Sequence, residues 1–208
     1  HASLHGPILQ NNRFGNIGSY SFDGIDDYIE IENPHNLSFE NESFSISLWA
    51  MIQDNDNTYK TLFVVSNENL MPRIELMKAR GEYLNGGFYF QIAQNEESQS
   101  TAFSLDSGSS LPKNVWTHLV GVVDYEKKEL SLFINSQLHE IVSLIDNFKM
   151  PNGNNLMARL GKSTSKTIGA NEQRHKGSLD DVRVYSVALN QKQIKFIYKD
   201  EENFSSSL

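Results

Sequence analysis

The sequence predicts an all-β protein, a two-sheet antiparallel β-sandwich of about 12 to 14 strands with one short C-terminal helix. The first observation is that short segments of alternating polar and apolar residues recur along the chain, separated by turns rich in Gly, Asn and Asp. The second is the aromatic content, because twelve Phe, eight Tyr and two Trp favour strands. The third is an acid-rich strand start near each end of the chain, in Tyr20–Ile31 and Gly177–Tyr185, as expected of two segments that pair as neighbouring strands.

The strands can be placed in order by this alternation. In the segment after Glu42, the side chains of Phe44, Ile46 and Leu48 share one face and serines occupy the other. The segment Trp116–Asp124 is apolar on both faces in its middle, which is typical of a central strand. We predict strands at Pro7–Gln10, Ser19–Phe22, Tyr28–Glu32, Phe44–Met51, Lys60–Val65, Arg73–Leu76, Gly87–Ala93, Thr101–Leu105, Trp116–Asp124, Leu130–Asn135, His139–Ser143, Ala158–Gly161 and Leu179–Tyr185.

The last part of the chain contains a long polar loop and the one predicted helix. Residues Ser163–Lys176 show no buried pattern and form the longest predicted loop. After the closing strand we predict a helix at Gln191–Tyr198 with Asn190 as its N-cap. Ile194, Ile197 and Tyr198 stand at i, i+3 and i+4 and give this helix one apolar face.

Length and composition limit the organisation and the partners. At 208 residues the chain is predicted to be one domain, residues 1–208 with a core at 11–198, because β-sandwiches of this size fold as single units. The absence of cysteine excludes a disulfide framework, a thiolate metal site and a cysteine nucleophile. The net charge of −8 argues against nucleic acid or an anionic membrane as partner. No apolar run reaches the roughly 18 residues that a membrane-spanning helix needs, so we expect no membrane insertion.

The acidic residues at the two ends predict a divalent cation, calcium, between the paired end strands. Calcium takes oxygen ligands from carboxylates and backbone carbonyls. Asp23 and Asp180, with carbonyl groups near Gly24 and Gly177, offer such ligands if the strands pair. The ion would be structural and would hold the chain ends together. The alternative is that these acids only form turns and protect strand edges.

Four phrases occur in the order found in one known family. They are YSFDGIDDYIEI at residues 20–31, FSISLWA at 44–50, WTHLVGVVD at 116–124 with LFIN at 132–135, and GSLDDVRVYSVAL at 177–189. Together they resemble a laminin G-like jelly-roll domain of the concanavalin A-like lectin/glucanase superfamily, in the form common in secreted bacterial proteins. The resemblance runs from about Asn11 to Tyr198 and implies that Asp180 aligns with a structural calcium ligand of related glucanases. It says little about function, because this fold hosts lectins, adhesion modules, glucanases and lyases.

Catalytic patterns are weak. The Glu-x-Asp-x-x-Glu motif of the glucanase relatives is absent, and Glu30 and Glu32 lack a third acid, so a solvated strand face is the better interpretation of that pair. A lyase would need a Tyr or His base with Arg and an amide, for which the candidates are Arg73, Tyr89, Gln91, His118 and His139. Only Tyr89 and Gln91 share a face of one predicted strand, and His118 fits better as a buried or sheet-surface histidine. Motifs for a serine nucleophile, a phosphate loop or a zinc protease are missing.

Carbohydrate binding is the function that the residues favour. A lectin site combines an aromatic ring with amide, carboxylate, Arg or His groups for the sugar hydroxyls. The predicted ligand-binding residues are Tyr59, Tyr83, Asn85, Tyr89, Gln91, Asn171, Arg174 and His175. The alternative is that these loops are only solvated. Trp49 and Trp116 occupy positions that look like core and are not proposed as platforms.

The sequence therefore predicts a non-catalytic, lectin-like carbohydrate-binding module of a larger secreted or cell-surface bacterial protein, with a structural calcium. Its expected partner is a glycan or polysaccharide. One alternative is an adhesion or protein-interaction module without a sugar site, whose partner is a protein. The other is a glycan-active hydrolase or lyase.

Overall fold

A computed structural model describes residues 1–32, 34–37, 39, 41–54, 56–66, 73–79, 87–93, 102–108, 112–145, 156–164 and 173–203. These residues form fourteen strands in two antiparallel sheets and one α-helix, α1 (Gln191–Asn203), with a 3₁₀ turn at Pro34–Leu37. The strands are β1 (Ala2–His5), β2 (Ile8–Asn11), β3 (Ile17–Asp23), β4 (Tyr28–Ile31), β5 (Phe44–Ile52), β6 (Lys60–Ser66), β7 (Arg73–Lys78), β8 (Phe88–Ala93), β9 (Ala102–Asp106), β10 (Trp116–Asp124), β11 (Glu129–Ile134), β12 (Gln137–Ser143), β13 (Met157–Leu160) and β14 (Lys176–Tyr185).

Each sheet has seven strands, and the prediction of a two-sheet β-sandwich is confirmed. Sheet 1 has the order β1-β4-β13-β6-β7-β8-β9, and sheet 2 has the order β12-β11-β10-β5-β14-β3-β2. β10 pairs with β5 and β11, so the strand that the sequence predicted to be central is an inner strand of sheet 2. We call the surface of each sheet that points away from the other sheet its outer face.

The main core lies between the sheets and follows the alternation of the strands. Phe44, Ile46 and Leu48 of β5 are fully buried there, as the pattern predicted. Sheet 1 contributes inward side chains such as Ile74 and Leu76. Because neighbouring residues of a strand point to opposite sides, Arg73, Glu75 and Met77 of β7 point to the outer face of sheet 1.

Helix α1 covers part of the outer face of sheet 2. Its predicted N-cap is confirmed, because the Lys192 and Gln193 amides donate to Asn190 Oδ1 and the Asn190 amide donates to Gln193 Oε1. Its apolar face also lies as predicted, since Ile194 is fully buried in a second cluster with residues of β10 and β11. Trp49 stacks on Tyr198 with ring centroids 5.4 Å apart.

The two acid-rich end segments are neighbours in sheet 2, as predicted, with Lys176 opposite Asp23 and Gly177 opposite Phe22. Gly177 has a φ of +145°, and a Cβ there would lie 1.9 Å from the Met51 carbonyl oxygen, so only glycine fits between β14 and β5. The pairing of β14 with β5 is interrupted by a bulge between Asp180 and Arg183. β14 begins three residues before its predicted start, and the bulge changes its register in the middle of the strand.

Strand β1 is the main element that the sequence did not predict. It pairs with β4 at the edge of sheet 1, with Ser3 opposite Glu30. The segment was missed because Ala2–His5 is short and its side chains are mostly exposed, so it carries no clear alternation.

Candidate functional site

The outer face of sheet 1 brings together polar side chains from distant parts of the chain. The backbone pairing aligns one residue from each strand in a row across this face. The row consists of Ser3, Glu30, Arg159, Val64, Glu75, Gln91 and Ser104. Glu75 lies near its centre. The group Thr61, Arg73, Glu75, Tyr89, Gln91 and Ser104 is called the Glu75 cluster below.

Glu75 is the most unusual member of the cluster because it is a carboxyl group with no exposed surface. The Thr61 hydroxyl donates to Glu75 Oε1 at 2.7 Å. Among the described residues, Glu75 Oε2 has no hydrogen-bond partner, and Arg73 Nε, also buried and without such a partner, lies 3.8 Å away. Burial raises the pKa of Glu75, while Arg73 and the Thr61 hydrogen bond act in the opposite direction. Glu75 is thus a buried acid whose second oxygen faces Arg73 at a distance longer than a hydrogen bond.

Two predicted ligand-binding residues, Tyr89 and Gln91, belong to this cluster. They share the outward side of β8, as the sequence predicted, and stand opposite Met77 and Glu75. Gln91 is largely buried, whereas Tyr89 is partly exposed. Burial raises the pKa of Tyr89, and a side-chain hydrogen bond with Ser104 acts in the opposite direction. Tyr59 also raises that pKa and directly precedes β6, two residues before Thr61 of the cluster.

The described ends of the long loop lie across the outer face of sheet 1. The side chains of Thr164 and Ser66 are hydrogen bonded, and the Thr61 amide donates to the Gln173 carbonyl at 3.0 Å. Arg174 is partly exposed, and its charge lowers the pKa of Lys162 after the larger effect of burial. The loop therefore borders the Glu75 cluster, although its middle lies outside the described residues.

The prediction for His175 needs correction, because its side chain is fully buried. Its amide donates to the Gly161 carbonyl at 2.9 Å, and its ring lies against Phe22 with centroids 5.7 Å apart. Burial lowers its pKa to about 3, so the ring is neutral at physiological pH. A ligand on the surface cannot reach this side chain. Three other predicted ligand-binding residues, Tyr83, Asn85 and Asn171, lie outside the described part of the chain.

The same outer face carries a second polar group near strand β1. The ring of His5 stacks on Tyr28 at 4.2 Å, and Lys162 Nζ lies 4.5 Å from the Tyr28 ring centroid. Arg159 donates from both Nε and an Nη to Glu30 Oε2 at 2.7 Å. This arrangement adds cationic side chains to the face, in a protein whose net charge is −8.

The predicted calcium ligands do not form the expected set. The carboxylates of Asp23, Asp26 and Asp27 have oxygen atoms within 4.8 Å of one another, in the turn between β3 and β4. Asp23 Oδ1 accepts from the Ile25 amide at 2.7 Å, which lowers its pKa. Burial raises the pKa of Asp27, and the carboxylates of Asp23 and Asp26 add to this effect. These three carboxylates are close enough to repel one another, and carboxylate oxygens are the ligands that a hard cation such as calcium binds.

Asp180 is the part of the calcium prediction that needs correction. Asp23 lies opposite Lys176, so Asp180 is four residues farther along β14, or about 13 Å at the usual rise of a strand. Asp180 instead accepts from Arg13 at 2.5 Å, and both side chains are buried. Gly24 and Gly177 do lie close to each other, as predicted, because Gly24 is adjacent to Lys176 at the start of β14.

The candidate catalytic residues do not come together. Glu30 pairs with Arg159, and Glu32 accepts from Ser3 at 2.6 Å, so each is engaged separately on the edge of sheet 1. The residues considered for a lyase are divided, because Arg73, Tyr89 and Gln91 are on sheet 1 and His118 and His139 are on sheet 2. His118 is buried, with Nε2 2.8 Å from the Ser47 hydroxyl, and burial lowers its pKa to about 4.

Glu75 is the residue that sequence reasoning missed. Its outward position follows from the alternation of Arg73, Ile74, Glu75 and Leu76, but an outward Glu in a strand is usually solvated. Its complete burial depends on how β6, β8 and the loop surround it. Arg73 was considered only for a lyase and not for ligand binding.

Comparison with solved structures supports the architecture. The binding domain of Paraclostridial Mosquitocidal Protein 1 superposes with a TM-score of 0.73 at 15% identity, covering 98% of this chain and 48% of that one. The binding domain of botulinum neurotoxin serotype D gives 0.69 at 17% identity, with 97% and 47% covered. The CBM40 of the Ruminococcus gnavus IT-sialidase, solved with alpha2,3 sialyllactose bound, gives 0.67 at 15% identity, with 94% and 98% covered.

This chain therefore spans about half the length of the toxin binding domains and nearly all of the sialidase domain. No curated protein sequence matches it. Within the described residues, no helix combines the length and apolar character needed to cross a membrane. A family model matches residues 23–195, and the chain belongs to the concanavalin A-like lectin/glucanases superfamily.

Proposed function

We propose that this protein is a non-catalytic carbohydrate-binding module and that its glycan site is the outer face of sheet 1, centred on the Glu75 cluster. The observation that carries this proposal is the pair Arg73 Nε and Glu75 Oε2, which are buried, 3.8 Å apart and without hydrogen-bond partners in the part of the chain that the structure describes. Such unsatisfied groups cost about 1–3 kcal/mol each. The Arg73 side chain keeps 15% of its surface exposed, so a sugar oxygen can accept from this guanidinium from outside, while Glu75 stays beneath it.

The surroundings of this pair suit a sugar. Tyr89 and Tyr59 are partly exposed and offer aromatic surface beside it, and Ser104 is exposed on the neighbouring strand. A sugar ring presents an apolar face to aromatic side chains and hydroxyls to polar ones. The likeness to a sialidase domain solved with a bound sialylated sugar also supports the proposal of carbohydrate binding.

The outer faces of the two sheets differ in availability. On sheet 2, α1 and the Arg13 segment cover the middle of the face, where Trp49 and His118 are buried. On sheet 1, Thr61, Val64 and Glu75 in the middle of the face are also buried. Partly exposed side chains such as Tyr28, Arg73 and Tyr89 remain at the surface beside them. The module would therefore use one face for recognition and the other to attach its C-terminal helix.

We further propose that the module belongs to a larger secreted or cell-surface protein, which is supported by its match to about half of each toxin binding domain. Calcium stays a prediction, with the ligand set now limited to the turn that contains Asp23, Asp26 and Asp27.

The proposal is tested on a glycan array with the wild type, Arg73→Gln and Arg183→Gln. Arg183 is the control, because it is an exposed arginine on sheet 2. We expect the wild type and Arg183→Gln to capture the same glycans, and Arg73→Gln to lose at least tenfold in affinity. An array without any captured glycan, or an Arg73→Gln protein that binds like the wild type, would contradict the proposed site. In the first case a protein-adhesion role becomes the better explanation.

A further inference from the structure

Arg73 and Glu75 form an unusual pair, because the two side chains differ in access to solvent. Glu75 has no exposed surface, whereas the Arg73 side chain retains 15%. Their closest charged atoms are 3.8 Å apart, within range of an ion pair but too far for a hydrogen bond. A ligand can thus approach the guanidinium from outside, while the carboxyl group contacts it from beneath.

We propose that Glu75 competes with the carboxylate of an acidic sugar for Arg73, so that the site prefers acidic glycans and binds them more tightly at acidic than at neutral pH. This inference rests on the proposed glycan site. When Glu75 is neutral, Arg73 carries an uncompensated positive charge that attracts an anionic ligand. When Glu75 is ionised, it neutralises Arg73 and repels that ligand.

The groups that face Glu75 leave Arg73 as its one close charged partner among the described residues. From β6 it meets the Thr61 hydroxyl and stands opposite Val64, and from β8 it stands opposite the uncharged Gln91. From the end of the long loop, the uncharged Gln173 lies against Thr61. The next charge in the row is Arg159, two strands away and therefore about 10 Å distant at the usual strand spacing. The protonation of Glu75 is thus coupled to Arg73 more strongly than to any other charge in this part of the sheet.

The pH range follows from the environment. Burial raises the pKa of Glu75 above its ordinary value of 4.5. The carboxylate of an acidic sugar in water is fully accessible to solvent and titrates at a lower pH, about 3–4 for an ordinary exposed acid. Between these values Glu75 is protonated while the ligand is still ionised, which is the condition for tight binding.

The experiment is a calorimetric titration with alpha2,3 sialyllactose and with lactose, its neutral part, at pH 5 and pH 7.5. The proteins are the wild type, Glu75→Gln and Glu129→Gln. The Gln side chain copies the shape and neutrality of protonated Glu75. Glu129→Gln is the control, because it removes the same charge from β11 of sheet 2, outside the proposed glycan face.

For sialyllactose we expect wild-type affinity to be about tenfold higher at pH 5, which corresponds to a displacement of the Glu75 pKa by one unit on binding. Glu75→Gln should bind equally tightly at both pH values, and Glu129→Gln should keep the wild-type ratio. Lactose affinity should not change with pH.

Three results would overturn the inference. They are equal sialyllactose affinity of the wild type at both pH values, an unchanged pH ratio in Glu75→Gln, and no sialyllactose binding at either pH. In each case, capture of a neutral glycan by the wild type with loss in Arg73→Gln would leave the proposed function standing. If the wild type captures no glycan on the array, both the proposed function and this inference are contradicted. Thermal melting of each variant at both pH values establishes that it is folded.

Discussion

The substitution Asp180→Asn separates the ion pair found here from the calcium role expected of this residue. It would remove the main countercharge of Arg13, whose guanidinium is buried between the rings of Phe14 and Trp49 at 4.4 Å from each centroid. Breaking a buried ion pair on one side costs about 3–5 kcal/mol. The Asp181 carboxylate would remain 4.0 Å from Arg13, so we expect a loss near the lower end of this range.

For a chain of this length, 1 kcal/mol corresponds to about 2–4 °C in melting temperature, so the expected decrease is about 6–12 °C. The assay is thermal and urea unfolding with calcium and with chelator. Asp181→Asn is the control, because its side chain is partly exposed and it should cost about 1 kcal/mol or less. The double substitution Arg13→Met/Asp180→Asn should recover most of the loss, since it leaves no unpaired buried charge.

A different outcome would refute the ion-pair reasoning. If the loss in Asp180→Asn is present with calcium and disappears with chelator, then Asp180 acts as a metal ligand. If the double variant is as unstable as the single one, the unpaired Arg13 is not the cause of the loss.

Three further predictions concern the metal, the buried acid and the helix. If the turn with three acids binds calcium, the ion should raise the melting temperature of the wild type and not that of Asp26→Asn, whereas equal melting with calcium and chelator would exclude an occupied site. Since burial raises the pKa of Glu75, the wild type should lose stability as pH rises from about 4.5 through the folded-state pKa. Glu75→Gln should lack this loss and should be more stable than the wild type at pH 7.5. Unfolding at several pH values tests whether stability falls as pH rises. Ile194→Ala should lower the free energy of unfolding in urea by about 2–5 kcal/mol, and substitution of the exposed Lys195 by Ala should lower it by less than about 0.5 kcal/mol. Similar losses in both variants would show that the packing of α1 contributes little to stability.

The strands and the helix were predictable because their side-chain periodicity is local. Phe44–Met51 and Trp116–Asp124 were placed within one residue of their ends, and the Asn190 cap was recognised from its own side chain and its position before the helix. The pairing of the two end segments was also predictable from their similar acid-rich starts.

Register and burial were not predictable, because both depend on residues far apart in the chain. The sequence does not say that Lys176, and not Asp180, stands opposite Asp23, and the bulge after Asp180 adds a further shift. In the same way, Tyr89 and Gln91 could be placed on one face, but their position beside Glu75 depends on the order of strands in sheet 1.

The position of α1 has a consequence for how the molecule opens under thermal fluctuation or force. The helix packs on a small apolar cluster outside the main core, so its release leaves the inter-sheet core intact. A segment of this kind forms a separate unit of low opening free energy. Amide hydrogens of α1 should therefore exchange with deuterium sooner than those of β5 and β10, and a load applied to the C-terminal end would detach the helix before it separates the sheets.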